Sequence, residues 1–144
     1  MKAQSHNLGF LVGDISRLMR RAYRERQQRS ALTVAQARTL VHLARREGVR
    51  QIDLAETLEV QPITLARLID QLAQAGLVER RPDPLDRRAH RVYLTGAAAP
   101  HLAAIEDVAA SIRTDALRGL DGREAARVID ALQKIHDNLA TAHG

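Results

Sequence analysis

Apolar residues recur along most of the chain at the three- and four-residue spacing of one helix face. Such stripes run over residues 8–22, 34–44, 54–58, 65–72, 102–116 and 125–139. Each stripe alternates with polar or charged positions, which is typical of amphipathic helices that bury one side. The pattern therefore predicts six helices, the third of them short.

Residues at the ends of the stripes mark helix boundaries. Thr33-x-x-Gln36 has the form of a capping box, and Asp121-x-x-Glu124 carries the same signal before the last stripe. Pro62 suits the first turn of a helix. Glycines, which tolerate the left-handed conformation after a helix, follow three of the stripes: Gly48, Gly76 and Gly119.

The helical pattern is interrupted between residues 77 and 94. The runs 77–80 and 91–94 are short and β-prone, and residues 81–90 contain two prolines among charged side chains. We interpret the two runs as strands of a β-hairpin and residues 81–90 as its turn, with a basic tip.

Within residues 51–95, a short helix, a four-residue turn and a second helix followed by a hairpin are the element order of a winged helix-turn-helix. The fold class is thus predicted as mainly α with a small β-hairpin wing. Residues 33–95 would form the winged helix-turn-helix DNA-binding region. Residues 1–32 and 96–144 would form a helical dimerisation region of the same compact subunit. The helices flanking the module have apolar faces with little to cover them, so a homodimer would bury both.

Candidate DNA-binding residues fall on the second helix of the motif and on the wing. Gln61, Thr64 and Arg67 would lie on the solvent face of that helix, where Gln can pair with adenine and Arg with guanine. The amides near Pro62 lie at the positive end of a helix and suit a phosphate. Basic side chains on or near the hairpin would contact phosphate or a minor groove: Arg80, Arg87, Arg88, His90 and Arg91. The alternatives are solvated arginines, an Asp86–Arg88 ion pair, and turn capping by Gln61 and Thr64.

Charge sharpens this picture because it is distributed in blocks. The formal net charge is +5, and 20 of the 22 basic residues are arginine. Residues 1–50 carry 11 bases and 3 acids, residues 51–75 one base and 4 acids, and residues 76–95 five bases and 3 acids. The helix-turn-helix is therefore acidic between two basic segments, which would supply the attraction to phosphate.

Composition excludes several classes of protein. Cysteine is absent, so there is no disulfide framework, zinc ribbon, iron–sulfur site or thiol switch. Three aromatic residues cannot build a base-stacking platform for single strands. No apolar run approaches the ~20 residues of a membrane span, and the N-terminus lacks the pattern of a signal peptide. We therefore expect a cytoplasmic protein with no membrane partner.

Nearly the whole chain resembles the MarR family of bacterial transcription regulators, most closely its SlyA-like branch, because the flanking helices are also in the expected places. The resemblance rests on Leu54-Ala55-x-x-Leu58, the run 64–72, Gly76-Leu77-Val78-Glu79-Arg80 and the run 86–95, which begins Asp86-Arg87-Arg88. It implies a homodimeric, nucleoid-associated repressor on pseudo-palindromic duplex DNA, with the fourth helix as recognition helix. It also implies that Asp86 and Arg88 hold the wing, while Arg87 at its tip reads the minor groove.

The same resemblance implies a small anionic or aromatic effector bound partly by the first helix, near Arg17 and Arg20. Two arginines one turn apart could hold a carboxylate. The alternative is that this basic helix is solvated or attracts DNA. Some relatives place an aromatic residue on the second helix, where this chain has Val34 and Ala37. A regulator indifferent to ligands, competing with nucleoid proteins, is therefore an open alternative.

Nothing in the chain indicates catalysis, a metal or a cofactor. The six histidines lack compact ligand spacing: His6, His42, His90, His101, His136 and His143. No nucleophile–base set or glycine-rich phosphate loop is present. The remaining alternative function is a winged-helix protein–protein adaptor that never binds DNA, although the arginines of the wing argue against it.

Overall fold

A computed structural model describes residues 7–27 and 30–142, and these form six α-helices and one antiparallel hairpin. The elements in chain order are α1 (Leu8–Arg26), α2 (Val34–Arg45), α3 (Gln51–Leu58), α4 (Pro62–Gln74), β1 (Val78–Asp83), β2 (Asp86–Leu94), α5 (Ala98–Ala116) and α6 (Gly122–Ala142). The predicted fold class, mainly α with a hairpin wing, is confirmed.

Both predicted capping boxes are present. The Thr33 hydroxyl accepts the Gln36 backbone N–H at 3.1 Å, and the Gln36 side chain accepts the Thr33 N–H at 3.0 Å. Asp121 and Glu124 exchange the same pair of bonds at 2.8 and 3.3 Å. Each box satisfies two amide groups that have no partner inside the helix, and this fixes where α2 and α6 begin.

The core lies among α2, α3, α4 and the hairpin. The leucines of the predicted stripes 54–58 and 65–72 are buried together with the small Ala55, except Leu68, which is partly buried. On α2 the predicted stripe is partly wrong, because Ala44 is exposed while Leu43 and Thr39 are buried. Thr39 tolerates burial because its hydroxyl donates to the Ala35 carbonyl at 2.7 Å.

The predicted ten-residue turn is wrong. The strands extend through most of it, and only Pro84 and Leu85 separate β1 from β2. Proline at the first central position excludes the mirror-image turns that hairpins favour, since its φ is fixed near −65°. The register of the hairpin shifts between Pro82 and Asp83, which takes up the mismatch between turn and strand twist. The prolines favoured a loop in the prediction, but pairing between β1 and β2 continues through Pro82, which an edge strand tolerates.

The described residues divide into two compact units, one ending at Ala109 and the other beginning at Ala110. The first contains α1 and the winged helix-turn-helix, and the second contains α6. Neither α1 nor α6 has a buried residue, although both carry apolar stripes. Within residues 7–27 and 30–142, no helix is both long and apolar enough to cross a membrane.

Candidate nucleic-acid interface

The N-terminal end of α4 presents an exposed polar surface. Leu65, Ile69 and Leu72 face the core, so the opposite side of the helix faces outward. On that outward side the structure exposes the four predicted residues Gln61, Pro62, Thr64 and Arg67. Gln61 is the N-cap residue but makes no side-chain capping bond, so its amide is available to another partner.

A tight turn between α3 and α4 sets the position of this surface. Glu59 adopts the left-handed conformation with φ 55°, and the Val60 N–H returns to the Ala55 carbonyl at 3.1 Å. From α2, the Arg38 guanidinium donates to the Leu58 carbonyl at 3.1 Å, which satisfies the end of α3. These two hydrogen bonds fix the conformation of the chain between α3 and α4.

A buried carboxylate stabilises the wing next to its tip. Asp83 accepts the Leu85 N–H at 3.0 Å and lies 3.5 Å from the Arg91 Nε. Both contacts favour the ionised carboxylate. The hydrogen bond from the Leu85 N–H, and to a smaller extent the charge of Arg91, hold the pKa of Asp83 below its usual value. Arg91 also donates to the Gly48 carbonyl at 2.9 Å, joining the wing to the end of α2.

The tip of the wing and the first residues of β2 are exposed. Asp86 accepts the backbone N–H of Arg88 at 3.0 Å, so it supports the turn through the main chain instead of an ion pair. The tip consists of Pro84 and Leu85, and Leu85 is 92% exposed. Arg87 lies two residues after Leu85, at the start of β2, and its contact with a minor groove stays a prediction. The side chains of Arg87 and Arg88 are both exposed.

The wing and the helix-turn-helix meet at a cationic cleft of about 180 Å³. Arg88 and His90 line it from the wing, Pro62 from the start of α4, and Arg50 with its neighbours from the start of α3. Arg50 is engaged with Asp53 at 3.0 Å, which raises the pKa of the guanidinium chiefly through that hydrogen bond. The cleft thus joins two helix N-termini to basic side chains, a combination suited to phosphate.

Two residues of this surface were missed from the sequence. Ile63 is 64% exposed on the first turn of α4, where an apolar side chain can contact a thymine methyl. It falls outside the apolar stripe of residues 65–72, and that mismatch could have identified it. Arg50 had no such signal, because its place in the cleft depends on the wing folding back beside α3.

Arg80 and Arg91, both predicted to bind DNA, use their guanidinium groups inside the protein. Arg80 donates to the Gln51 side chain at 2.8 Å and to the Ala66 carbonyl at 3.1 Å, and pairs with Asp70 at 2.7 Å. Their contact with DNA stays a prediction, but the structure gives both a role in holding elements together.

The predicted effector residues lie on the exposed surface of α1. Arg17 is 3.5 Å from the Asp14 carboxylate, and Arg20 donates to the Ser16 hydroxyl at 2.6 Å. His6 and His143 lie outside the described residues. Within the part of the chain that the structure describes, no group of three or more His, Cys, Asp or Glu side chains could hold a metal ion.

Comparison with known proteins gives these features a family. The sequence model of the MarR family matches residues 32–90, which span the helix-turn-helix and most of the wing. The crystal structure of the transcriptional regulator PA3341 is 40% identical over 92% of this chain and 98% of that one, with a TM-score of 0.76. The chain belongs to the MarR family.

Other MarR-family structures share the architecture. MarR from E. coli in its apo form is 26% identical, with a TM-score of 0.76 over 89% of this chain and 95% of that one. A MarR regulator from Methanosarcina mazei Go1 is 23% identical, with a TM-score of 0.81 over 94% of this chain and 97% of that one, and shows the shared fold. MarR-family proteins are transcription regulators that bind DNA and are in general not enzymes.

Proposed function

We propose that this MarR-family protein is a homodimeric repressor that binds pseudo-palindromic duplex DNA in the bacterial cytoplasm. In this proposal, α4 enters the major groove of each half-site and the wing contacts the flanking minor groove. Assignment to the SlyA-like branch and association with the nucleoid remain part of the same hypothesis.

The observation that carries the proposal is the exposed N-terminal end of α4 beside an exposed basic wing. A helix with its side chains is ~10–12 Å wide and the major groove is ~12 Å wide, so α4 can enter with its outward face against the bases. Gln61, Thr64 and Arg67 then reach base edges or phosphates. Ile63 adds an apolar contact on the same turn.

The wing supplies the electrostatic part of binding. Arg87 and Arg88 are exposed, and among the described residues no ion-pair partner is seen for either guanidinium group. They can therefore replace counterions along the DNA backbone without first breaking an internal contact. A protein adaptor of the same fold would gain nothing from two solvated arginines at this place.

Exposed apolar faces support the dimer. On α1, six apolar side chains are between 42% and 59% exposed: Leu8, Leu11, Val12, Ile15, Leu18 and Met19. On α6 the exposed apolar side chains are Val128, Ile129, Leu132 and Leu139. Faces of this extent are rare on stable monomers, and a second copy could cover both. Two recognition helices would then meet half-sites one DNA turn, ~34 Å, apart.

We also propose that an anionic effector binds at Arg17 and Arg20 of α1. Both side chains already have partners on α1, Asp14 and Ser16, and a carboxylate would have to replace them. An effector could still act by favouring a dimer whose recognition helices are wrongly spaced for DNA. Such a ligand would lower affinity for duplex without altering the fold of the monomer.

Selection of bound genomic fragments tests the proposal. The wild-type protein should enrich a small set of pseudo-palindromic fragments and bind them below micromolar concentration. This binding should persist in the presence of competitor DNA. The double variant Arg87→Gln with Arg88→Gln should lose most binding, while Arg113→Gln with Arg118→Gln, which removes the same charge beyond the wing, should retain it. Failure of the wild-type protein to bind any duplex at low salt would favour the adaptor.

A further inference from the structure

Arg80, like Arg91, has its guanidinium group turned inward, but only the acceptors of Arg80 lie on α3 and α4. Its side chain is 27% exposed. Nε donates to the Gln51 amide oxygen at 2.8 Å and Nη2 to the Ala66 carbonyl at 3.1 Å, and Nη1 lies 2.7 Å from the Asp70 carboxylate in an ion pair. A planar guanidinium fork can hold three acceptors in fixed directions, which a lysine cannot do.

The three acceptors belong to the two helices of the DNA-reading motif. Gln51 is the first residue of α3, whereas Ala66 and Asp70 lie one turn apart on α4. Bonds to two successive turns of α4 resist rotation of that helix about its axis, because both would have to break together. Arg80 itself is fixed in the hairpin, where it pairs with Val92. The wing strand therefore holds α4 at the rotation that turns Arg67 outward.

The ion pair has a second consequence for Arg67. Asp70 lies three residues after Arg67, a spacing at which side chains of a helix meet. A carboxylate left without Arg80 would be within reach of the Arg67 guanidinium, and it would also repel an approaching phosphate. By pairing with Asp70 from the wing side, Arg80 leaves Arg67 available for DNA.

We propose that Arg80 is a positioning residue for the recognition helix, and that it sets sequence discrimination without itself contacting phosphate. This inference rests on the proposed DNA-binding function. It changes the role expected for Arg80 from the sequence, where a basic side chain next to the wing was interpreted as a DNA contact.

Paired charge-removing variants test this role. Arg80→Gln and the control Arg87→Gln each remove one charge from the hairpin, and both are titrated with salt on a selected duplex and on a random duplex. Arg87→Gln should weaken both duplexes alike and reduce the salt slope by about 0.9 per lost phosphate contact. Arg80→Gln should keep the wild-type slope but reduce the preference for the selected duplex about tenfold.

Two further variants guard against misfolding and identify the mechanism. Arg80→Lys keeps the charge and should still lose preference for the selected duplex, because an ammonium cannot hold three acceptors in a plane. Asp70→Asn in the Arg80→Gln background should recover part of the affinity by removing the free carboxylate beside Arg67. Loss of slope by Arg80→Gln equal to that of Arg87→Gln, or unchanged discrimination by Arg80→Lys, would overturn the inference.

A measurement without DNA separates this inference from the proposed function. Backbone amide NMR shifts of α4 should change in Arg80→Lys and remain as wild type in Arg87→Gln. If wild-type protein binds no duplex, the proposed function fails while the NMR comparison still tests whether Arg80 fixes α4. Unchanged α4 shifts in Arg80→Lys would contradict the positioning role whatever the DNA result.

Discussion

Single buried polar residues decide how the wing of this protein is built. Asp83 is the clearest case, because its carboxylate accepts a hydrogen bond from the Leu85 N–H at the tip and pairs with Arg91. Arg91 in turn donates a hydrogen bond to the Gly48 carbonyl after α2. A side chain that a sequence pattern assigns to a solvated turn is thus a buried anchor. Its ionisation links the stability of the fold to pH.

Replacing Asp83 with Asn should destabilise the protein in a pH-dependent way. The folded-state pKa of Asp83 lies below its usual value, so its ionised form stabilises the fold at neutral pH. That contribution is lost as the pH falls below about 4, through the folded-state pKa. Urea unfolding of wild type and Asp83→Asn between pH 7 and pH 3 should show a gap that narrows with acid. The exposed control Asp130→Asn should show little gap at any pH.

Gly48 is a residue-scale constraint of a different kind. Its φ is +84°, and an added Cβ would lie 3.1 Å from the ring of Tyr93. Gly48→Ala should therefore cost about 1–2 kcal/mol of unfolding free energy for the backbone conformation, with a further cost for moving the ring. Gly119→Ala, at φ +88° with open space around it, measures the backbone cost alone. Equal losses in the two variants would show that Tyr93 moves freely.

At the scale of elements, helix boundaries were the most predictable feature. A capping box is a local contact among four residues, so Thr33 and Asp121 could be identified without knowledge of the rest of the fold. The same holds for Pro62 at the start of α4 and the glycines with positive φ. The apolar faces of α3 and α4 followed from periodicity alone.

The hairpin and the candidate DNA-binding surface depend on contacts between residues distant in sequence. Their details could therefore be predicted from the sequence less well than the helix boundaries. The turn was placed over residues 81–90 because prolines signal loops, but pairing with β2 outweighed that preference. The sequence also does not indicate which arginines face solvent. Arg80 and Arg87 are both basic residues of the hairpin, but of these two only Arg80 has acceptors on α3 and α4 within reach. Charge type could be predicted, whereas the partner of each charge could not.

The cap of α2 provides a quantitative test at this scale. Thr33→Ala removes the hydroxyl that accepts the Gln36 N–H and should lower the unfolding free energy by about 1 kcal/mol. Thr33→Ser keeps the acceptor and should lie close to wild type. Chemical denaturation of the three proteins provides the comparison. A loss in the serine variant as large as that in the alanine variant would mean that the methyl group, not the cap, stabilises this end.

In the whole molecule, α1 and α6 expose apolar faces that the proposed dimer would cover. Ile15→Gln with Leu18→Gln should shift the protein from dimer to monomer in analytical ultracentrifugation, because both side chains lie on the exposed apolar face of α1. Arg21→Gln with Arg24→Gln, on the polar side of the same helix, should leave the dimer intact. Monomers at micromolar concentration in the wild-type protein would contradict the dimer.

We propose that the exposed end of α4 and the wing together read duplex DNA. Fluorescence anisotropy of a selected duplex, titrated with wild-type protein and Arg67→Gln across a salt series, tests it most directly. Wild-type protein should bind below micromolar concentration with an affinity that falls steeply with salt, and Arg67→Gln should bind more weakly and with less sequence discrimination. DNA reading by α4 and the wing would be contradicted if the wild-type protein does not bind the duplex at about 50 mM salt. It would also be contradicted if Arg67→Gln binds the duplex as the wild-type protein does.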